Sequence, residues 1–199
     1  MAEGRVSASK KNATRRGATL VFLDESGFML TPLVRRTFAP RGQTPIQKCW
    51  DRHDRISAIS AVTLSPKRRR LGLYFHLLET NRNVRADDVV EFLRHLRRQI
   101  QRPLDVIWDR CNIHDKARSV RKHLARNVNV RTHRLPAYAP ELNPDEGVWN
   151  HTKFARLANF AAADAHELRW AVHRELDRLR GRKDLLASFV RHSGLPISL

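Results

Sequence analysis

The sequence predicts a single α/β domain, and three observations lead to that prediction. A continuous apolar run that ends in two acids, ATLVFLDE from Ala18 to Glu25, is typical of a strand buried on both faces. Two further apolar segments flank the basic turn SPKRRR and predict an antiparallel hairpin. From Asp87 onwards, segments of helical periodicity alternate with short apolar runs, which is the pattern of an α/β fold.

The predicted elements follow in the order β-β-β-α-β-α-β-α, with one more helix at the C-terminus. The predicted strands cover residues 18–25, 56–64, 71–78, 104–109 and 128–135, and the predicted helices begin near Asp87, Lys116, Pro144 and Asp164. The turn-rich segment after the first strand includes a candidate hairpin arm from Leu33 to Phe38. Residues 1–17 are polar and basic without hydrophobic periodicity, so we expect a flexible arm there and one folded domain over residues 18–199.

The charge of the chain points to a polyanionic partner. Lys and Arg total 38 against 20 Asp and Glu, a formal net charge of +18 in 199 residues. Nucleic acid is the leading candidate at this charge, and no apolar stretch approaches the length of a membrane span. The polar N-terminus lacks the apolar core of a secretory signal, which favours a cytoplasmic protein. Cys49 and His53 lack the second ligand pair that a structural zinc site needs.

Three acids that are distant in sequence are candidates for one metal site. Asp24 and Asp109 each end a predicted buried strand, and Glu146 lies in the first turn of a predicted helix. The ends of neighbouring parallel strands are where open sheets bind ligands. Converging carboxylates repel one another and require cations, and oxygen ligands suit Mg²⁺ or Mn²⁺. A pair of such ions supports phosphoryl-transfer chemistry, as in nucleases and DNA strand transferases.

Each of these acids also has a simpler interpretation. Asp at the end of a strand is commonly a turn former. Asn143, Pro144 and Glu146 match a capping box at the start of a helix, in which Glu146 has no catalytic role. The neighbouring acids Glu25, Asp105, Asp115 and Asp145 are weaker candidates. Glu25 should point to the opposite face of its strand from Asp24, Asp105 lies at the start of its strand, and Asp145 is outside the cap pattern.

Three motifs resemble the catalytic domain of mariner-type transposases, and the insertion sequence 630 family of bacteria resembles this chain most closely. These motifs are LVFLDESGF, the segment VIWD followed five residues later by His114, and LPAYAPELNPDEGVWNHTK. The resemblance covers most of residues 18–199. It implies a ribonuclease H-like fold, with a mixed five-stranded sheet flanked by helices, and a catalytic, metal-binding DDE triad of Asp24, Asp109 and Glu146.

The same resemblance implies an activity and a set of partners. Members cut DNA at the ends of an insertion sequence and join the freed 3′-hydroxyl to target DNA, typically at a TA step, with two Mg²⁺ or Mn²⁺ ions. We therefore expect double-stranded DNA as the partner, a homodimer as the acting form and a bacterial, nucleoid-associated location. In the family an N-terminal helix-turn-helix part recognises the ends. We expect this chain to require such a part, because residues 1–17 leave no room for one.

The residues expected to contact DNA are mostly basic. Two clusters on the arm and on the hairpin turn should neutralise phosphates, together with one cation and one histidine near the second acid: Arg15, Arg16, Lys67, Arg68, Arg69, Arg70, Arg110 and His114. His114 is alternatively an ordinary residue at a helix start, or a group that contacts a metal ligand. The charges along residues 94–102 are interpreted as a solvated helix face, and Trp149 and Tyr138 as packing residues.

Arg110 departs from the family pattern, which has a small or amide residue after the second Asp. The long, positively charged side chain of Arg110 either turns outward to bind phosphate or indicates that this copy of the transposase has partly decayed. Two alternatives to a strand transferase therefore stay open. One is a structure-selective nuclease on the same fold, and the other is a non-catalytic basic DNA-binding remnant whose acids no longer hold metal.

Overall fold

A computed structural model describes residues 14–48, 52–67, 70–114, 116–197 and 199. Its centre is one five-stranded sheet with the spatial order β3-β2-β1-β4-β5. The strands are β1 (Thr19–Met29), β2 (Arg55–Leu64), β3 (Leu71–Thr80), β4 (Leu104–Trp108) and β5 (Val130–Arg134). The first strand extends beyond the predicted end at Glu25, because residues 24–29 continue the pairing with β2.

The sheet is mixed, as the sequence predicted. β2 pairs antiparallel with both β1 and β3, whereas β4 pairs parallel with β1 and with β5. Phe22 of β1 is level with Ile107 of β4. Two residues further along each strand, Asp24 and Asp109 therefore reach the same level on neighbouring strands.

Helices cover both faces of the sheet. They are α1 (Ala86–Ile100), α2 (Arg118–Arg126), α3 (Pro144–Asn150), α4 (Ala165–Gly181) and α5 (Lys183–His192). A 3-10 turn over Pro140–Leu142 precedes α3, and a π-helical segment over His151–Arg156 continues it. None of the helices in the described part of the chain has the length and apolarity of a membrane span.

Two apolar cores lie on opposite faces of the sheet. Phe22 belongs to the core shared with α3, α4 and α5, and Leu23 belongs to the core shared with α1 and α2. Successive side chains of a strand point to opposite faces, so a strand covered on both sides is apolar at every position. This explains the uninterrupted apolar run at the start of β1 and confirms that the strand is buried on both faces.

The last helix, α5, is absent from the sequence prediction. Arg182 separates it from α4, and Leu186 and Val190 are buried in the core beneath it. Phe189 packs directly on the backbone of α3: a Cβ atom built on Gly147 would lie 2.6 Å from the Phe189 ring. Only glycine allows that approach, so α5 fixes the position of the helix that carries Glu146.

The candidate hairpin arm from Leu33 to Phe38 does not form, and residues 31–48 contain no helix or strand. Proline interrupts this segment at positions 32, 40 and 45, and proline cannot donate to a strand ladder. Instead, Asn159 holds the chain from the side. Its Oδ1 accepts from the backbone N–H of Arg35 at 2.7 Å, and its Nδ2 donates to the Arg35 carbonyl at 3.0 Å.

Candidate active site

Neighbouring groups bind one carboxylate oxygen of Asp24 and one of Asp109. The indole Nε1 of Trp149 donates to Asp24 Oδ2 at 3.2 Å. The backbone N–H of Cys111 donates to Asp109 Oδ1 at 2.8 Å, and His114 Nδ1 lies 2.9 Å from the same oxygen. Both side chains are thereby oriented by groups from outside their own strands.

Glu146 is positioned by the cap of α3 and is not part of it. Asn143 Oδ1 accepts from the backbone N–H of Asp145, and Asn143 Nδ2 donates to the carbonyl of Leu23 in β1. The backbone N–H of Asn143 is already bound to the carbonyl of Pro140 at 2.8 Å. A capping box would need that N–H to bind the Glu146 carboxylate. The capping-box interpretation of Glu146 is therefore wrong.

The three predicted acids line one open cleft of about 470 Å³. β1 supplies Asp24, the end of β4 supplies Asp109, and the first turn of α3 supplies Glu146. The segment from Leu135 to Pro140 forms another wall. Tyr138 stands at this wall fully exposed, so its interpretation as a packing residue is wrong. Trp149 is buried as expected, although its indole also binds Asp24.

Two carboxyl groups of the cleft, those of Asp24 and Glu146, resist ionisation. Burial, followed by the charges of Glu146 and Glu25, raises the pKa of Asp24 from 3.8 to about 8. Burial also raises the pKa of Glu146; the charge of Lys153 opposes that shift and the charge of Asp109 reinforces it. These are the shifts expected of partly buried acids that also lie near other acids.

His114 forms a charged link between Asp109 and Glu25. Its Nδ1 faces Asp109, its Nε2 donates to Glu25 Oε1 at 2.8 Å, and its ring stacks on Trp108 with centroids 4.7 Å apart. Burial alone would lower the pKa of His114, but the hydrogen bonds to the two carboxylates outweigh burial and raise it to about 10. The hydrogen bond from His114 in turn lowers the pKa of Asp109.

The structure corrects two expectations about these residues. His114 is completely buried and uses both ring nitrogens, so it contacts a candidate metal ligand and not DNA. Glu25 does point to the opposite face of β1 from Asp24, yet it joins the site through His114. Sequence reasoning could not find this link, because Glu25 and His114 meet only once the loop after β4 has folded back.

Asp145 is the most deeply buried acid near the cleft. Its side chain is 0% exposed, and Ser60 Oγ donates to its Oδ2 at 2.5 Å. Its Oδ1 is buried without a hydrogen bond in the described structure. Burial, and then the charge of Asp24, raises its pKa well above 3.8. Asp145 does not line the cleft, in agreement with its low ranking from the sequence.

The oxygen donors of the cleft suit divalent cations, although the three carboxyl groups do not surround one common position. Within the described ranges, no three His, Cys, Asp or Glu side chains form a group that could hold a metal ion. Asp24, Asp109 and Glu146 offer only oxygen donors, which suit Mg²⁺ and Mn²⁺. Burial, with a smaller contribution from neighbouring acids, raises the pKa values of Asp24 and Glu146, and a cation held between these acids would favour their ionised forms.

The predicted DNA contacts lie in two different places. Arg110 lines the cleft, where its Nε donates to the Leu135 carbonyl at 3.3 Å. Arg16 pairs with Asp105 at 2.6 Å, at the opposite end of β4 from Asp109. The hairpin turn with Lys67 and Arg70 also lies at that far end, since Leu64 is level with Leu20 near the start of β1. Arg15 is exposed beside Arg16, and Arg68 and Arg69 lie outside the described residues.

The mixed sheet, its covering helices and a cleft of acids at the end of parallel strands define the ribonuclease H-like fold of DNA-processing enzymes. The family model described as DDE superfamily endonuclease matches residues 19–169, and the chain belongs to that family. No sequence among the curated proteins matches the chain significantly.

Solved structures of the Mos1 mariner transposase have the same fold. The pre-cleavage Mos1 transpososome is 17% identical with a TM-score of 0.59, and the match covers 98% of this chain and 62% of that one. The Mos1 paired-end complex with Mn is 19% identical with a TM-score of 0.55, covering 98% and 62%. The Mos1 catalytic domain is 16% identical with a TM-score of 0.50, covering 98% and 93%. The chain thus spans about three fifths of the longer Mos1 chains.

Proposed function

We propose that the chain is the catalytic domain of an insertion-sequence transposase of the insertion sequence 630 family. It cuts DNA at the ends of its element and joins the freed 3′-hydroxyl to target DNA. The observation that carries the proposal is the convergence of Asp24, Asp109 and Glu146, which come from three separate elements, on one cleft. The DDE endonuclease family of residues 19–169 supports the same reaction class.

In this proposal the three acids hold two Mg²⁺ or Mn²⁺ ions. When bound, such ions activate the attacking oxygen and stabilise the leaving oxygen of an in-line phosphoryl transfer. Trp149 and His114 hold the carboxylates of Asp24 and Asp109 in a fixed orientation. The positive charge of His114 keeps Asp109 ionised over the whole physiological pH range. Arg110 is placed to bind a phosphate that enters the cleft.

The proposal extends to partners and location. Duplex DNA, both element ends and target, is the substrate, and the acting form is a homodimer in the bacterial cytoplasm, close to the nucleoid. A helix-turn-helix part is required for recognition of the ends. Residues 18–199 form the catalytic domain behind a basic arm, in which Arg16 is already bound to that domain through Asp105.

The decisive experiment compares Glu146→Gln with Glu141→Gln in a Mn²⁺-dependent nicking assay on supercoiled DNA. Glu141 is an exposed glutamate of the 3-10 turn that does not line the cleft, so it controls for the loss of one charge nearby. We expect Glu146→Gln to lose nicking by at least about 100-fold, since one ligand of a metal site is removed. Glu141→Gln should nick at the unaltered rate. Full nicking by Glu146→Gln would contradict the role of this acid.

Two other functions predict different outcomes in the same assay. A structure-selective nuclease would cut but never join a 3′-end to a second duplex. The non-catalytic remnant is favoured by one observation: Arg110 occupies the cleft with a fixed positive charge beside Asp109. A remnant would show no Mn²⁺-induced rise in melting temperature, because stabilisation by a ligand requires binding to the folded state.

A further inference from the structure

A basic groove lies between helices α1 and α2, away from the acidic cleft. This interhelical groove has a volume of about 710 Å³. Four cations line it, two from each helix: Arg94, Arg98, Lys122 and Arg126. Both helices begin near the cleft end of the sheet and run toward its other end, so the groove leads away from Asp24 and Asp109.

Among the described residues, none is an anionic partner of these four side chains. Each side chain is exposed, and none makes a hydrogen bond or an ion pair with any residue that the structure describes. Other arginines of the domain are neutralised: Arg156, for example, pairs with Glu175 at 2.9 Å. Within each helix the two cations are four residues apart, a rise of about 6 Å, and therefore lie on the same helix face. Two short rows of unpaired charge thus face each other across the groove.

The remaining lining residues show where a ligand would lie. Asp87 and Glu91 line the groove at the N-terminal end of α1, so its positive part is the end formed by the second halves of both helices. His123 is in the lining there, and burial, followed by the charge of Arg94, lowers its pKa.

We propose that the interhelical groove is a second binding site for the phosphate backbone of duplex DNA, distinct from the catalytic cleft. The inference extends the proposed function by adding a place where the duplex is held at a distance from the bond that is cut. Opposed rows of unpaired cations in a concave surface match a polyanion. A protein partner fits less well, because Val90 is the only apolar side chain in the lining and protein interfaces require larger apolar anchors.

The test measures how the affinity for duplex DNA depends on salt. The Arg98→Gln/Arg126→Gln double variant is compared with the unaltered chain and with Arg41→Gln/Arg191→Gln. Arg41 and Arg191 are also exposed, and neither has a hydrogen bond or ion pair within the described ranges, so the control removes the same charge elsewhere. Fluorescence anisotropy with a random duplex of about 30 base pairs, in chelator and from 50 to 200 mM salt, gives the slope of log K against log salt.

We expect the groove variant to lower the salt slope by about 1.8, or about 0.9 for each phosphate contact, and the control pair to leave it unchanged. An unchanged slope in the groove variant overturns the proposal, as does an equal loss in the control. Tighter binding of an RNA duplex, with the same loss of slope, overturns the assignment to DNA. Binding is measured without metal, so a failure of the nicking assay would reject the catalytic function without affecting this result.

Discussion

The substitution Asp24→Asn should stabilise the metal-free protein, contrary to the usual effect of changing a half-buried residue in a central strand. In the folded protein the pKa of Asp24 is raised from 3.8 to about 8, first by burial and then by the neighbouring acids. The folded state thus binds the proton more tightly than the unfolded chain does. Stability in the absence of metal therefore rises as the pH falls from 8 toward 4, and it is lowest above pH 8.

The magnitude follows from the same shift. At pH 7 the unfolded carboxyl is ionised and the folded one is protonated, and one pKa unit corresponds to about 1.4 kcal/mol. The interval from 3.8 to 7 then costs the folded state at most about 4 kcal/mol. An amide avoids this cost and can still accept from Trp149, but it must itself be buried. We expect a gain of about 2 kcal/mol, or roughly 4–8 °C in melting temperature for a chain of this size.

Thermal melting in chelator from pH 6 to pH 9, repeated with Mn²⁺, measures both parts of the prediction. Asp24→Asn should melt higher than the unaltered chain in chelator, show a flat pH profile near 8, and lose the Mn²⁺ response. Asp105→Asn is the matched control, since Asp105 is a buried aspartate at the other end of β4 that pairs with Arg16. Breaking that pair should destabilise the protein by about 2–4 kcal/mol.

The reasoning would be refuted by an Asp24→Asn variant that melts below the unaltered chain in chelator at pH 8 and keeps the full Mn²⁺ response. That result would mean that Asp24 is ionised and stabilised by groups other than a metal ion. If both Asp24→Asn and Asp105→Asn lowered the melting temperature in chelator by the same amount, the carboxylate would be stabilising at both ends of the sheet.

Two further predictions concern Trp149 beside the cleft and Glu175 of α4, which lie on the same face of the sheet. Trp149→Phe keeps the edge-to-face contact with Phe28 but removes the N–H that donates to Asp24. The affinity for Mn²⁺, measured by calorimetric titration, should therefore fall by about 10-fold. This is the lower limit for the loss of a group that supports a metal ligand. Burial opposes ionisation of Glu175, but the hydrogen bond and charge of Arg156 outweigh it and keep the pKa of Glu175 below 4.5. The stabilisation by Glu175 is thus present above about pH 4.5 and is lost as the pH falls. Glu175→Gln should therefore reduce the dependence of the melting temperature on pH below about pH 4.5. An unchanged pH dependence would contradict a stabilising role of the ion pair between Glu175 and Arg156.

The sequence predicted the sheet well because β1 and β4 are buried on both faces. Such strands leave an unbroken apolar run, and the acids at their ends stand out against it. The common level of Asp24 and Asp109 follows from the parallel pairing of β1 with β4 and from the register of that pairing. The helix of Glu146 was also predictable, because Asn143 and Pro144 specify its start.

The missed features depend on contacts between residues that are distant in sequence. His114 reaches Glu25 across the loop after β4, and no local pattern indicates that pairing. Arg94 and Arg98 are exposed, as the solvated-face interpretation of residues 94–102 expects, but the interhelical groove that they line exists only where α2 packs beside α1. Helix α5 did leave a local signal, since Leu186 and Val190 are four residues apart, but its short length and the preceding Arg182 obscured it.

The contact between Phe189 and Gly147 bears on where a functional fragment of this protein can end. The endonuclease family match stops at residue 169, inside α4, well before Phe189. A fragment cut at that boundary would contain every acid of the cleft and the complete sheet. It would lack the side chain that supports the backbone next to Glu146, so the third acid would be free to drift from the other two. The smallest fragment that keeps the three acids in place therefore extends through α5. This C-terminal helix is part of the catalytic domain in structure and in function.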